Sequence, residues 1–263
     1  MKKNATSFGA LVFLAFSTVL SGGCRKVLDY DKDRNNGDVD CKSCNIQQIS
    51  VFFTDELGPD TIIYTFNYNA FGDPITVKNT DVATGNPNSV FKYDKFGRLK
   101  EFIRPYENQI YETWTKYTCN LKGQVIRDTQ YVFGLYIDSV PDASPNKDNY
   151  RVSQFSYDQQ DRVVKRVDSS FSNNLLANVD STAFYYDAAG NLVGLGTAYD
   201  AHLSLFRTNK IWMFITCNYS INNGFQAAAY NAHGLPLQFQ GSYQTLFPIV
   251  SAAGQFNVKY ACK

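Results

Sequence analysis

The stretch FKYDKFGRLKEF at 91–102 returns as FYYDAAGNLVGL at 184–195. In each copy two aromatics flank one residue, then come Asp, two variable places, Gly, a polar residue and an apolar start. A chain that rewrites one local phrase is committed to one supersecondary unit used many times. Asp or Asn caps a turn by accepting from the backbone two residues on, and Gly supplies left-handed φ. With β-forming residues on both sides, the unit reads as a hairpin.

Further copies are FNYNAFGDPITV from Phe66 and AAYNAHGLPLQF from Ala228, with looser ones in YTCNLKGQVI from Tyr117 and FSYDQQDRVV from Phe155. CNYSINNGF from Cys217 is the poorest, with Asn223 in the glycine place. The predicted turn glycines are Gly72, Gly97, Gly123, Gly190 and Gly234, and Asp161 stands where a sixth would be. The fold class follows: all-β, an antiparallel meander of such hairpins, forming a strongly curved sheet or a closed soluble barrel. Alternation puts Tyr64, Phe66, Tyr68, Phe91, Tyr93, Phe155, Tyr157, Phe184 and Tyr186 on one face, as an aromatic ladder. Thr65, Asn67, Lys92, Thr118, Ser156 and Asn218 take the other. That face lacks the outward aliphatic band of a membrane-spanning barrel, and the mean hydropathy is −0.30.

The phrase resembles the YD repeat of rearrangement-hot-spot and teneurin-type proteins, whose units build spiralling β-sheet shells. YDKFGRL (Tyr93 to Leu99) and YDAAGNL (Tyr186 to Leu192) carry that likeness. Seven loose copies are far fewer than a large shell uses, so enclosure of a cargo is not implied. The layout is also similar to small bacterial lipoproteins described as porin-like in fold.

That second likeness involves the N-terminus. Lys2 and Lys3 precede an apolar run from Phe8 to Leu20, too short for a comfortable span and suited to a signal peptide. LSGGC then resembles the lipobox of bacterial lipoproteins, with Ser21 in place of the usual aliphatic residue. The expected organisation is a signal peptide over 1–23, lipidated Cys24 with a polar tether over 24–45, and one β domain over 46–263. Two acyl signals on one cysteine give stable anchoring without a spanning segment. Arg25 after the cysteine points towards an outer-membrane lipoprotein.

Asp29, Asp31 and Asp33 have the spacing of a calcium loop, but Arg34 occupies the place of the turn glycine and no Glu closes the ring, so a solvated linker is expected. Five cysteines follow Cys24: Cys41, Cys44, Cys119, Cys217 and Cys262. Within CKSC a structural clip is expected rather than a redox or zinc site, because no strand-to-helix junction follows and His202 and His233 are both distant in sequence. No metal and no cofactor are expected.

Trp114, Trp212, Phe214 and Tyr185 break the polar pattern of the non-ladder face and are the candidate ligand-binding residues, able to stack on sugar rings. Segments 79–90, 139–150 and 169–181 read as long loops that suit binding. No nucleophile elbow, phosphate loop or zinc-helix motif occurs, so catalysis is not expected. A formal net charge of +1 without a Lys/Arg block argues against nucleic acid. The expected function is a lipid-tethered, non-catalytic binding module for a glycan or envelope protein. The alternative is a structural or assembly lipoprotein of an outer-membrane complex, and a lesser third reading is a glycan-active hydrolase.

Overall fold

The computed structural model describes residues 44–56, 58–194 and 198–262. The expected signal peptide, Cys24, the Asp29–Asp33 run, Cys41 and nearly all of the tether lie outside the described residues. The strands are β1 (Cys44–Asp55), β2 (Gly58–Tyr68), β3 (Pro74–Asn79), β4 (Ser89–Tyr93), β5 (Leu99–Pro105), β6 (Ile110–Cys119), β7 (Val125–Ile137) and β8 (Val140–Asp142). After these come β9 (Tyr150–Tyr157), β10 (Val163–Ser172), β11 (Leu175–Ala183), β12 (Tyr185–Tyr186), β13 (Leu192–Val193), β14 (Ala227–Tyr230), β15 (Pro236–Gly241) and β16 (Gly254–Cys262). One α-helix, α1 (Lys210–Ile215), follows a 3-10 turn at Leu205–Thr208.

Fourteen strands form one antiparallel sheet in meander order, from β11 through β1 to β16, β15 and β14. No closed barrel forms: β11 and β14 are the two edges. β1 begins at Cys44, so Cys44 and Asn45 are strand rather than tether, paired with Cys262 and Ala261.

Six of the phrases fold identically. In the turn opened by Asp94, the carboxylate accepts from Phe96 N at 2.9 Å and Arg98 N at 3.0 Å, while Gly97 N donates to the Asp94 carbonyl. Asn69, Asn120 and Asn231 make the same pair of side-chain bonds. So does Asp158, whose turn holds Asp161 at φ 57°, a left-handed conformation that Asp tolerates at some cost. Asp187 accepts from Asn191 N in the sixth turn. The seventh phrase does not fold this way: Cys217 closes α1 in a left-handed conformation, and Asn218 N returns to the Met213 carbonyl, a helix cap rather than a hairpin.

Most tyrosines that precede an Asx, and Tyr260 of β16 as well, share one task. Tyr93 donates its hydroxyl to the Pro74 carbonyl (2.7 Å), Tyr157 to Val125 (2.6 Å), Tyr186 to Val163 (3.2 Å) and Tyr260 to Pro236 (2.9 Å). Each acceptor lies five residues after the Asx of the adjoining turn. Cys119, where the tyrosine is missing, places its Sγ 3.9 Å from the carbonyl at the same position, Leu99. Tyr68 reaches the Ile46 carbonyl at 2.8 Å, near the start of β1. Tyr68, Tyr93, Tyr157 and Tyr186 thereby staple their phrases to a neighbouring segment, whereas Tyr230 donates to Asp200 and Tyr260 of β16 makes the bond to the Asn231 turn in its stead. Burial holds the Tyr68, Tyr93, Tyr157, Tyr186 and Tyr260 hydroxyls well above the ordinary phenol range, so they stay donors.

All six turns and both ends of the domain share one rim, where a Cys44–Cys262 disulfide joins β1 to β16. The expected Cys41–Cys44 clip is therefore corrected: β1 and β16 run side by side, and their register sets Cys44 opposite Cys262. Linking residues 218 apart in sequence removes about 5 kcal/mol of unfolded-chain entropy on the loop-closure model. At the same rim a short hydrogen-bonded bridge connects the two sheet margins. It runs from Val164 (β10) to Phe184, through the β12–β13 hairpin to Asn222, and from Leu203 to Gly234 in the β14–β15 turn. Laid flat, β10 and β15 would stand ten strand steps apart, roughly 48 Å. A bridge so short requires the sheet to curl.

The curl encloses α1. Trp212 meets Phe66 and Phe91 edge-on at 5.7 and 5.5 Å, and Phe214 meets Tyr117 and Phe155 at 5.6 and 5.3 Å. The predicted ladder faces inward as expected, but its rings pack on the helix between them. The loop 242–253 adds Leu246, Ile249, Val250 and Ala252 from the other rim. Segment 169–181, expected as a loop, is instead the β10–β11 hairpin, turned by Asn173 and Asn174 at φ 50° and 60°.

Two substitutions separate the parts of this unit. Tyr93→Phe, which removes one staple and keeps the ring, is expected to lower unfolding free energy in urea by about 1–3 kcal/mol. Gly97→Ala, at φ 75° with nothing within 4 Å of the added methyl, is expected to cost about 1–2 kcal/mol through backbone strain alone.

Candidate functional site

Turns brought to one rim leave a cavity of about 290 Å³ between them and α1. Leu99, Val125, Met213, Phe214, Tyr219 and Ile221 make its floor and walls. Arg98, Lys122, Arg162, Arg207 and Lys210 ring it, with Gln124, Gln160 and Asp161 among them. Three of its glycines, Gly97, Gly123 and Gly190, are turn positions predicted from sequence.

Local rules fix most of the ring. The residue after the turn glycine faces the Asx that opened the turn, and the two are chemically matched. Arg98 bonds Asp94 through Nε at 2.7 Å and a terminal nitrogen at 2.6 Å, and Arg162 bonds Asp158 through both at 2.8 Å. Where the Asx is neutral Asn120, the partner is Gln124, accepting at 2.7 Å. Arg162 also lies 4.0 Å from the centre of the Tyr186 ring, a cation–π contact. Gln124 then donates to Asp161 at 2.7 Å, tying the β6–β7 turn to the β9–β10 turn. The 3-10 turn contributes Arg207 to the lining, and its Leu205 and Phe206 are buried.

The sequence-selected aromatics do not converge. Trp212 is fully buried (0% exposed) on α1, not on a sheet face, so it offers no surface for stacking. The expected place of Trp212 and Phe214 on a sheet face is corrected: Asn209 caps a helix over KIWMFI by accepting from Ile211 N. Phe214, on the same helix, does line the cavity. Tyr185 is 69% exposed on the β12–β13 hairpin. Trp114 stands on the outer sheet face in a half-buried ladder with Tyr131, Tyr150 and Phe171, and Lys116 lies 5.1 Å over its ring. Tyr157, Tyr219 and the basic ring were not singled out from sequence. The x position after each glycine was the signal available for Arg98, Gln124 and Arg162.

A second polar cluster sits inside the curl. Asp128 (β7) is buried and accepts from Ser153 N at 3.2 Å, while Arg166 bonds Asp168 at 2.9 Å and Arg151 approaches it at 4.0 Å. Burial raises Asp128 from 3.8 to about 6, opposed by Ser153 and Arg151 and reinforced by Asp168. Burial likewise pushes the Cys217 thiol up to about 11 in spite of Arg166 beside it, the reverse of nucleophile activation. Elsewhere Asp200 accepts from the Tyr230 hydroxyl and lies 3.8 Å from His202, whose ring stacks on Tyr230 at 3.6 Å. His233 is close to both Cys44 and Cys262, but the disulfide leaves no thiolate there to share a metal. Among the described residues no helix is long and apolar enough to cross a membrane.

No protein-family model matches this chain, and no curated protein matches it. Among solved structures it is similar to a porin-like protein from Bacteroides uniformis ATCC 8492, at 13% identity and a TM-score of 0.46, over 84% of this chain and 96% of that one. It is also similar to chains in the TcdB2-TccC3-Cdc42 and TcdB2-TccC3-TEV structures, each at 14% identity, with TM-scores of 0.29 and 0.30. Those two likenesses cover 72% of this chain but only 10% of the other. Superpositions this loose carry no inference about ligand or activity.

The Asp128 shift gives a pH signature. The folded state binds this proton more tightly than the unfolded chain, so its contribution to stability falls as pH rises from about 4 through about 6. Asp128→Asn keeps an acceptor for Ser153 N and cannot ionise. Urea unfolding should show the variant gaining on the parent across that window, by on the order of 2–3 kcal/mol, and levelling off above it.

Proposed function

We propose that this chain is a non-catalytic binding module of the cell envelope, built from YD-type hairpins and tethered by lipid on Cys24, with the turn-rim cavity as its binding site. The single observation that carries the reading is that cavity: a half-open, apolar-floored hollow inside a ring of polar and charged groups, which is the usual make-up of a ligand site. The close spelling of YDKFGRL supports the repeat assignment, and the LSGGC stretch supports the tether and an outer-membrane address. A non-catalytic role is supported by the chemistry of the interior groups. Cys217 is held protonated, and the Asp200–His202–Tyr230 group has no serine or thiol among its described contacts.

The ligand expected is a glycan or an envelope protein, held by the rim rather than by Trp212. A second reading, an assembly lipoprotein of a larger complex, has its own observation. All nine residues of β11 are exposed, including Leu175, Leu176 and Val179, on a sheet edge whose outer hydrogen-bonding side is open. Such an edge suits strand addition by a partner.

Binding of the full-length chain to a glycan array separates the two. Saturable binding is expected, and Gln160→Trp, which places a large ring at the cavity mouth from an exposed position, should abolish it without moving the urea midpoint. An empty array, with one envelope complex co-purifying through the β11 edge, would replace the first reading by the second.

A further inference from the structure

We propose that the rim cavity takes an acidic sugar unit, with Lys122 and Arg207 meeting its anionic group and Tyr157, Phe214 and Tyr219 receiving its ring. This deepens the binding-module reading and rests on it.

The charge pattern comes first. Arg98 and Arg162 are already committed to Asp94 and Asp158. Asp161 is the one carboxylate among the lining residues, and it accepts from Gln124. Lys122 and Arg207 make no ion pair with any described residue, and they reach the cavity from separate elements, one on the β6–β7 turn and one on the 3-10 turn. Cations beside an apolar floor are less screened than on an open surface, so an anion between them gains more than it would in water.

Shape and polarity narrow the class. A cavity of about 290 Å³ is at the small end for ligand sites, so it receives one ring of a larger chain rather than a polymer lying along it. Aromatic walls suit the apolar face of a sugar. The carboxamide of Gln160 at the mouth suits hydroxyls, which an acyl chain lacks. A neutral sugar would satisfy the wall and the amide but leave Lys122 and Arg207 unanswered.

Isothermal titration of the full-length chain tests this with four probes: an oligogalacturonate, a sulfated oligosaccharide, a neutral galactose oligomer of the same length, and laurate. One or both acidic sugars should bind, with affinity falling about tenfold between about 0.05 and 0.5 M NaCl. Lys122→Ala with Arg207→Ala should weaken that binding at least about tenfold at an unchanged urea midpoint. Should the double variant fail to fold, Lys122→Glu alone, on an exposed turn, reads the same loss. Neutral oligomer binding as tightly as the acidic ones, laurate binding in their place, or affinity indifferent to salt and to these variants would overturn the acidic-sugar inference and leave the binding module standing. Silence from all four probes together with an empty glycan array would overturn both.

Discussion

The rest of the structure depends on one hydrogen bond repeated around the rim: a buried tyrosine hydroxyl given to the backbone carbonyl five residues past the neighbouring turn's Asx. The Asx–Gly turn makes each hairpin, but a hairpin alone is marginal in water. The staple is what joins hairpin to hairpin, since it crosses to the next strand and ends where that strand leaves its turn. It also explains why the phrase is written Tyr-Asx rather than aromatic-anything. A phenylalanine would fill the same space and leave the carbonyl unpaired, a loss of about 1–3 kcal/mol where burial excludes water.

Stapling most of the phrases at the same end gives the sheet two unlike rims. One is dense with turns, closed by the Cys44–Cys262 bond and bridged by the β12–β13 hairpin. The other carries the longer connections and is sealed by buried contacts of its own. There Arg104, 4% exposed, bonds Glu112 at 3.0 Å, the Gly85 carbonyl at 3.0 Å and Ser251 at 3.1 Å. The cavity belongs to the first rim because curling turns outwards and chain inwards there, so that side chains from four turns and from α1 face one another. Function, on this reading, uses the by-product of the repeat: the residues that match each Asx also edge the site.

Much of the scaffold was legible because it is written locally. Gly72, Gly97, Gly123, Gly190 and Gly234 stand where the phrase put them, each at φ between 74° and 84°. Asp161 could be read as a substitute because Asp tolerates that region. What is not local was missed. Tyr260 performs the staple without a following Asx, so no phrase announced it. Trp212 was misplaced because KIWMFI alternates as plausibly as a strand does, although Asn209 was a readable cap. Cys44 pairs with Cys262 across the whole chain, which spacing cannot show. The cavity lining draws on segments from residue 97 to residue 221, and only the curl makes them neighbours.

The most direct test is to follow each tyrosine by NMR of the ring carbon bearing its hydroxyl, titrating the folded chain upward in pH. Tyr68, Tyr93, Tyr157, Tyr186 and Tyr260 should remain protonated until the chain unfolds. Reversible ionisation of Tyr93 and Tyr157 near pH 10, the ordinary phenol value, with the fold intact would contradict the stapled rim and everything built on it.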